Sequence, residues 1–161
     1  MQPVTYEPIG IIHSPHTQLE GMPIQPAGAA GVKGWIEVDP RYEEGLRDLD
    51  GFSHLILLYH FHQSSGYQLT VKPFMDKIPR GLFSTRAPRR PNPIGLSIVR
   101  LVGVQGCRLE IENVDILDGT PLLDIKPYAP AFDQVAGVRS GWLTPVQDDV
   151  QDTRSDSRFV E

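Results

Sequence analysis

Residues 83–97, FSTRAPRRPNPIGLS, gather three arginines (Arg86, Arg89 and Arg90) and three prolines around Asn92 before the sequence turns apolar. Guanidinium groups recognise carboxylates and phosphates through paired N–H donors, so the stretch offers anion binding. From Lys72 to Arg90 there are six basic residues and one acid, Asp76. That is a local balance of +5 in a chain of formal net charge −5, and it leaves −10 on the remainder. Such segregation points to a face built for a phosphate, a carboxylate or a nucleic-acid backbone. A solvated loop whose arginines pair with the surplus acids is the alternative on charge alone. The backbone favours the first reading. Pro88, Pro91 and Pro93 fix their own φ and push Ala87, Arg90 and Asn92 into extended conformations. A loop held in this way loses little entropy when it grips a ligand.

Two further clusters carry chemistry. In DILDGTPLLDIKPY, Asp115, Asp118, Asp124, Lys126 and Tyr128 surround a turn signal at Asp118-Gly119. Asp124 and Lys126 share one face of a strand, either as a salt bridge or as a carboxylate held ready for a cationic or proton-bearing ligand. In YHFHQ, His60 and His62 are two apart and Gln63 follows. With His13, His16 and His54 elsewhere such spacing could hold a metal, but histidines without an accompanying acid are weak grounds for one. One structural histidine beside one ligand-contacting histidine is the better expectation, with no metal assigned.

The elements that must position these groups are short. Glycine and proline number 15 each and are scattered, which is the punctuation of many turns. Between them lie runs with strand character: VTYEPIGII, GWIEV, HLILLYHFH, LTVKPF, GLFST, IGLSIVRLVGV, CRLEIENVDI and PLLDI. In RLEIENV, Leu109 and Ile111 point one way and Glu110 and Glu112 the other. HLILLYHF is apolar on both faces and reads as the central strand. DPRYEEGLRDL alone has helix credentials, with Asp39 as N-cap, Pro40 at the first position and a stripe of Tyr42, Leu46 and Leu49. A mostly β, antiparallel structure follows, closed as a barrel or rolled sheet to protect its edges, with one short helix over an end. At 161 residues one domain is expected, residues 1–146, followed by a polar, mobile tail at residues 147–161. Cys107 stands alone, which excludes an internal disulfide. The opening residues lack a targeting pattern and no window has the length of a membrane span, so a soluble, cytoplasmic protein is expected.

FSTRAPRRPNPIGLS, FSHLILLYHFHQ, DGTPLLDIKPY and the opening YEPIGIIHSPH together resemble the TsaA-like family, in the same order from Tyr6 to Tyr128. The resemblance implies an antiparallel β-barrel that works as a homodimer, with the cofactor near the subunit boundary. It implies an S-adenosylmethionine-dependent tRNA methyltransferase whose acceptor is N6 of N6-threonylcarbamoyladenosine beside the anticodon, and not a DNA or membrane partner. Carried over by motif, the cofactor contacts are Gln25, Pro26, Ala27, His62, Gln63, Arg86, Leu96 and the turn Asp118, Gly119, Thr120 and Pro121. Arg89, Arg90 and Asn92 are then expected on the substrate. The acceptor is a ureido N–H, so a proton acceptor is needed. Asp124, with Lys126 holding it, is the first candidate, ahead of His62 and Tyr128. A methyltransferase for another small acceptor and a non-catalytic cofactor- or RNA-binding protein are the alternatives.

Overall fold

The computed structural model describes residues 2–145 and 151–156. The strands are β1 (Gly10–His13), β2 (Lys33–Val38), β3 (His54–His60), β4 (Thr70–Val71), β5 (Arg80–Gly81), β6 (Ile94–Gln105), β7 (Arg108–Glu112) and β8 (Thr120–Pro127). Six of them close into a barrel in the order β1-β2-β7-β6-β3-β8, and every neighbouring pair is antiparallel. β4 and β5 pair separately as a small hairpin.

Alternation fills the barrel. Ile12, Ile36, Leu57, Val99, Leu109 and Leu122 point inward and are fully buried. The expected split in β7 is present, with Leu109 and Ile111 inside and the glutamates outside. β3 pairs with both β6 and β8 and packs the barrel centre through Leu55, Leu57 and Tyr59, while its other face, with Ile56 and Leu58, is half-buried. Register shifts at Leu58/Tyr59 and at Leu101/Gly103 bend the strands that must curve around the barrel.

Two expectations change in form. The stretch after Asp39 is a 3-10 turn, Pro40–Leu46, not an α-helix, followed by a second at Leu49–Gly51. The Asp39 carboxylate does accept the Arg41 N–H, at 2.9 Å, and Tyr42, Leu46 and Leu49 do pack on the core. Gly45 weakens the interior and Asp48 takes a left-handed φ of 66°, which ends the segment before an α-helix is established. GLFST is strand only at its first residue, and Leu82–Ser84 form a 3-10 turn. A four-residue helix, α1 (Pro130–Asp133), follows the barrel.

The expected domain boundary between residues 146 and 147 lies outside the described residues. Of the expected tail, residues 151–156 lie along residues 19–23. Ser155 N–H donates to Met22 O at 2.8 Å, Gly21 N–H donates to Ser155 O at 2.9 Å, and the Ser155 hydroxyl is bonded to Leu19 O.

The registers His13↔Trp35, Lys33↔Glu112, His60↔Ile94 and Ile12↔Thr120 put three long connections at one end of the barrel. These are residues 14–32, residues 61–93 and residues 113–119. At the opposite end β6 reverses into β7 through Gly106 and Cys107 alone, and the capped 3-10 segment covers the opening.

Candidate functional site

The loop-rich end encloses a cavity of about 960 Å³, at the upper end of the roughly 300–1,000 Å³ usual for small-molecule sites. Its floor is set by one cross-strand pair. Tyr59 on β3 faces Gly95 on β6, and the ring lies so close over the glycine that a Cβ there would overlap it. Passing over Gly95, the phenol reaches the next inward residue of β6, Ser97, at 3.0 Å. The Ser97 hydroxyl donates to Asp115 Oδ1 at 2.7 Å. That hydroxyl has a single proton, so the Tyr59 phenol must donate to Ser97. Burial raises the Asp115 carboxyl to about 6, against the lowering effects of the Ser97 bond and the Arg86 charge. Burial, then the nearby Asp115 charge, holds the Tyr59 phenol well above its ordinary value, so it keeps its proton.

Loops from distant parts of the chain make the rim. Arg86 Nη1 donates to Gln25 Oε1 at 2.8 Å, joining the first and second long connections. Among the described residues no carboxylate is paired with Arg86, Arg89 or Arg90. Arg90 instead donates to Thr85 O and Ala87 O at 3.0 and 3.1 Å, so it braces the proline loop from within. Arg89 donates to Ser65 O at 3.1 Å. Burial, then the adjacent His60, lowers His62, which lines the cavity as a neutral ring near pH 7 with Thr120 Oγ1 3.4 Å from Nδ1.

Of the residues singled out from sequence, Gln25, Pro26, Ala27, His62, Gln63, Arg86, Arg90, Leu96, Asp115 and Thr120 line this cavity. Asp118, Gly119, Pro121, Arg89 and Asn92 lie outside its lining. Asp118 accepts the Ser14 N–H at 3.0 Å and stands 3.4 Å from His13 Nδ1, which ties the turn to β1. Asp124, Lys126 and Tyr128 are not brought to the cavity. Asp124 forms a 2.7 Å ion pair with Lys126 on a half-exposed strand face, and Tyr128 packs edge-on against His54.

Several features of the lining carried no local signal. Asp115 and Ser97 are linked only by barrel closure. Trp142, which donates to Ser84 O at 2.8 Å, and Ser155 arrive from the stretch after the barrel. Trp142 in SGWLTPV, just ahead of a polar stretch, was the one available hint.

The donor set suits a nucleoside that carries both a carboxylate and a sulfonium. Arg86 can take the carboxylate, the Phe61 and Phe83 rings in the lining suit a diffuse cation, and the volume leaves room for an acceptor base.

A family model for the tRNA-methyltransferase O N-terminal domain matches residues 11–134. A Pyrococcus abyssi protein named "Probable S-adenosyl-L-methionine-binding protein" is 52% identical over 156 residues, 97% of this chain and 85% of its own length. The tRNA (adenine(37)-N6)-methyltransferase of Escherichia coli is 37% identical over 140 residues, 81% of this chain and 60% of that enzyme. The crystal structure of TrmO from Pseudomonas aeruginosa superposes with a TM-score of 0.74 at 40% identity, covering 88% of this chain and 63% of that one. The chain therefore spans less than two thirds of the E. coli and P. aeruginosa proteins.

Proposed function

The chain belongs to the tRNA-methyltransferase O N-terminal domain family, and from that premise we propose that it is an S-adenosylmethionine-dependent methyltransferase acting on N6 of adenosine 37 in tRNA. The finer reading takes N6-threonylcarbamoyladenosine as the acceptor and the cytoplasm as the place of action. The observation that carries this reading is the cavity itself. Gln25, His62, Arg86 and Leu96 come from three separate stretches of sequence and converge on it.

When bound, S-adenosylmethionine supplies an electrophilic methyl group on a positively charged sulfur. The chain's part is to bind and orient. Arg86, fixed by Gln25, holds the cofactor's carboxylate, while the aromatic lining accepts the sulfonium charge and excludes water. Lys72, Lys77 and Arg89 lie outside the cavity lining and are the basic residues of this stretch left for the RNA backbone, while Arg90 braces the proline loop through Thr85 O and Ala87 O.

A homodimer belongs to the same reading. The outer face of β6 presents Ile94, Leu96 and Ile98 at 41%, 44% and 37% exposure beside the cavity mouth. A second copy covering this row would bury apolar area and close the cavity on its open side. Sedimentation of the intact protein then gives a dimer that Leu96→Asp weakens.

The direct test is mass analysis of anticodon-loop nucleosides after incubation with isotope-labelled cofactor, using tRNA with and without the threonylcarbamoyl group. Labelled methyl at adenosine 37 only in the carbamoylated tRNA is expected. Transfer to neither tRNA overturns the methyltransferase reading, and equal transfer to both overturns the finer acceptor.

A further inference from the structure

We propose that Asp115, held by a one-way hydrogen-bond chain from Tyr59 through Ser97, is the group that accepts the proton of the acceptor nitrogen during methyl transfer. This rests on the methyltransferase reading above and adds a catalytic residue to it. The argument starts from what the reaction must do with charge. A ureido nitrogen is weakly basic, and methylating it without losing its proton would leave a strongly acidic cation. As the N–CH₃ bond forms, the S–CH₃ bond breaks, its electron pair stays on sulfur as a neutral thioether, and the N–H proton passes to a carboxylate oxygen of Asp115. The methyl carries no net charge away from the pair of reactants, and the positive charge lost at sulfur reappears as the proton now on Asp115.

Among the described residues two carboxylates line the cavity: Asp156 comes from the segment that runs along residues 19–23 after the barrel, whereas Asp115 is joined to the floor through Ser97 and Tyr59 and meets the requirements best among the titratable groups there. Arg86 and Arg90 carry protons they do not release at working pH. The Tyr59 phenol is a donor committed to Ser97. His62 is a neutral ring that could accept a proton, but burial and His60 both disfavour its cationic form. Asp115 has the opposite character, since burial makes its protonated form easier to reach. Ser97 binds only Oδ1, at 2.7 Å, and the second oxygen remains as the proton acceptor. Because Tyr59 donates to Ser97 and Ser97 donates to Asp115, the chain presents its hydrogens toward the carboxylate and fixes it in place. Asp124, by contrast, is neutralised by Lys126 at 2.7 Å outside the cavity.

The same reasoning makes Ser97 a positioning residue. Its hydrogen bond lowers the Asp115 carboxyl against the effect of burial, so removing it must raise the carboxyl further. A purely structural role for Ser97 would not move that quantity.

The test uses the intact protein in four forms: wild type, Asp115→Asn, Ser97→Ala and Asp124→Asn. Single-turnover transfer to carbamoylated tRNA is followed at saturating cofactor from pH 5 to 9, with cofactor affinity by calorimetry and carboxyl titration by ¹³C NMR in the cofactor-free protein. For Asp115→Asn the rate falls about 100-fold or more, and the cofactor Kd stays within about threefold. Wild-type activity rises with pH through about 6, where the NMR titration places Asp115. That rise disappears in Asp115→Asn, and in Ser97→Ala both the rise and the titration move to higher pH.

The inference is overturned if Asp115→Asn keeps the wild-type rate, or if its only defect is weaker cofactor binding. It is also overturned if Asp124→Asn loses more activity than Asp115→Asn, or if Ser97→Ala moves neither measurement. If the wild type itself transfers no methyl group to any tRNA, the methyltransferase reading fails and this assignment falls with it. Active wild type with an equally active Asp115→Asn removes the proton acceptor alone.

Discussion

At one end of the barrel β6 turns into β7 through Gly106 and Cys107, with Gly106 at φ 56°, and a capped 3-10 segment closes the opening. At the other end the same strands are joined by residues 14–32, 61–93 and 113–119, and the chain after β8 returns to wall the space between them. The closed end has one tight reversal and packs Tyr42, Leu46 and Leu49 onto the core. The open end must be held by contacts across long sequence separations, such as Arg86 to Gln25 and Ser97 to Asp115. The difference teaches where each kind of substitution should register. Changes at the closed end should appear in stability, and changes at the open end in ligand binding and rate.

Gly95→Val should break that division most severely, because Gly95 is where the open end meets the core. Any side chain there collides with the Tyr59 ring, so overpacking of about 1–3 kcal/mol is joined by displacement of Tyr59 from Ser97. Loss of both cofactor binding and thermal stability is expected, measured by calorimetry and thermal denaturation. A variant that binds normally would mean that the floor is not as tightly built as described.

Arg86→Ala should affect only the open end. Arg86 is exposed and bonds one side chain, Gln25. Removing it should weaken cofactor binding by roughly 10-fold or more, in keeping with about 1.5–3 kcal/mol for a hydrogen bond to a charged group, while Tm stays within about 2 °C. A large Tm loss with unchanged affinity would assign Arg86 to structure.

Asp39→Ala is the matching change at the closed end. It removes the carboxylate that accepts the Arg41 N–H at 2.9 Å and should lower the Tm by a small, measurable amount, as loss of a cap does. Cofactor affinity and transfer rate should not change, and a drop in either would show that the two ends are coupled.

The remaining expected effect is a change in pH dependence. Burial raises the Asp115 carboxyl to about 6, above about 3.9 in an unfolded chain. The folded state therefore binds more protons across that window, and stability contributed by this group is present at low pH and lost as pH rises through 6. Asp115→Asn cannot ionise, so its Tm should exceed that of the wild type by several degrees at pH 8, at about 2–4 °C for each kcal/mol, and converge with it at pH 4. An unchanged difference between the two pH values would mean that Asp115 is not buried as described.

How much of this was legible in sequence differs between the ends in the same way. Strand positions follow from alternation, because inward residues such as Leu109 and Ile111 announce their face within a few residues. Asp39, Pro40 and the Tyr42–Leu46–Leu49 stripe located the cap over the closed end, and only the tighter 3-10 winding escaped, since Gly45 and the left-handed Asp48 compete locally with α-helix formation. The open end is legible only in pieces. The proline-arginine loop identified itself by charge and stiffness, yet Arg90 serves its own backbone, a role that composition cannot distinguish from ligand binding. The family motifs pointed to Gln25, His62, Arg86 and Leu96, which line the cavity. Nothing local tied Tyr59 and Ser97 to Asp115, because their contact depends on which strands become neighbours when the barrel closes. Asp124 stood out for the converse reason: a salt bridge at spacing two is visible in sequence whether or not it faces a cavity.

A crystal structure of the protein with S-adenosylmethionine tests the central claim most directly. The account predicts the cofactor inside the loop-rich end, its carboxylate on Arg86 and its methyl group directed into the space bordered by Asp115. Cofactor bound at the closed end, or against Asp124 and Lys126 with the cavity left to solvent, would contradict it.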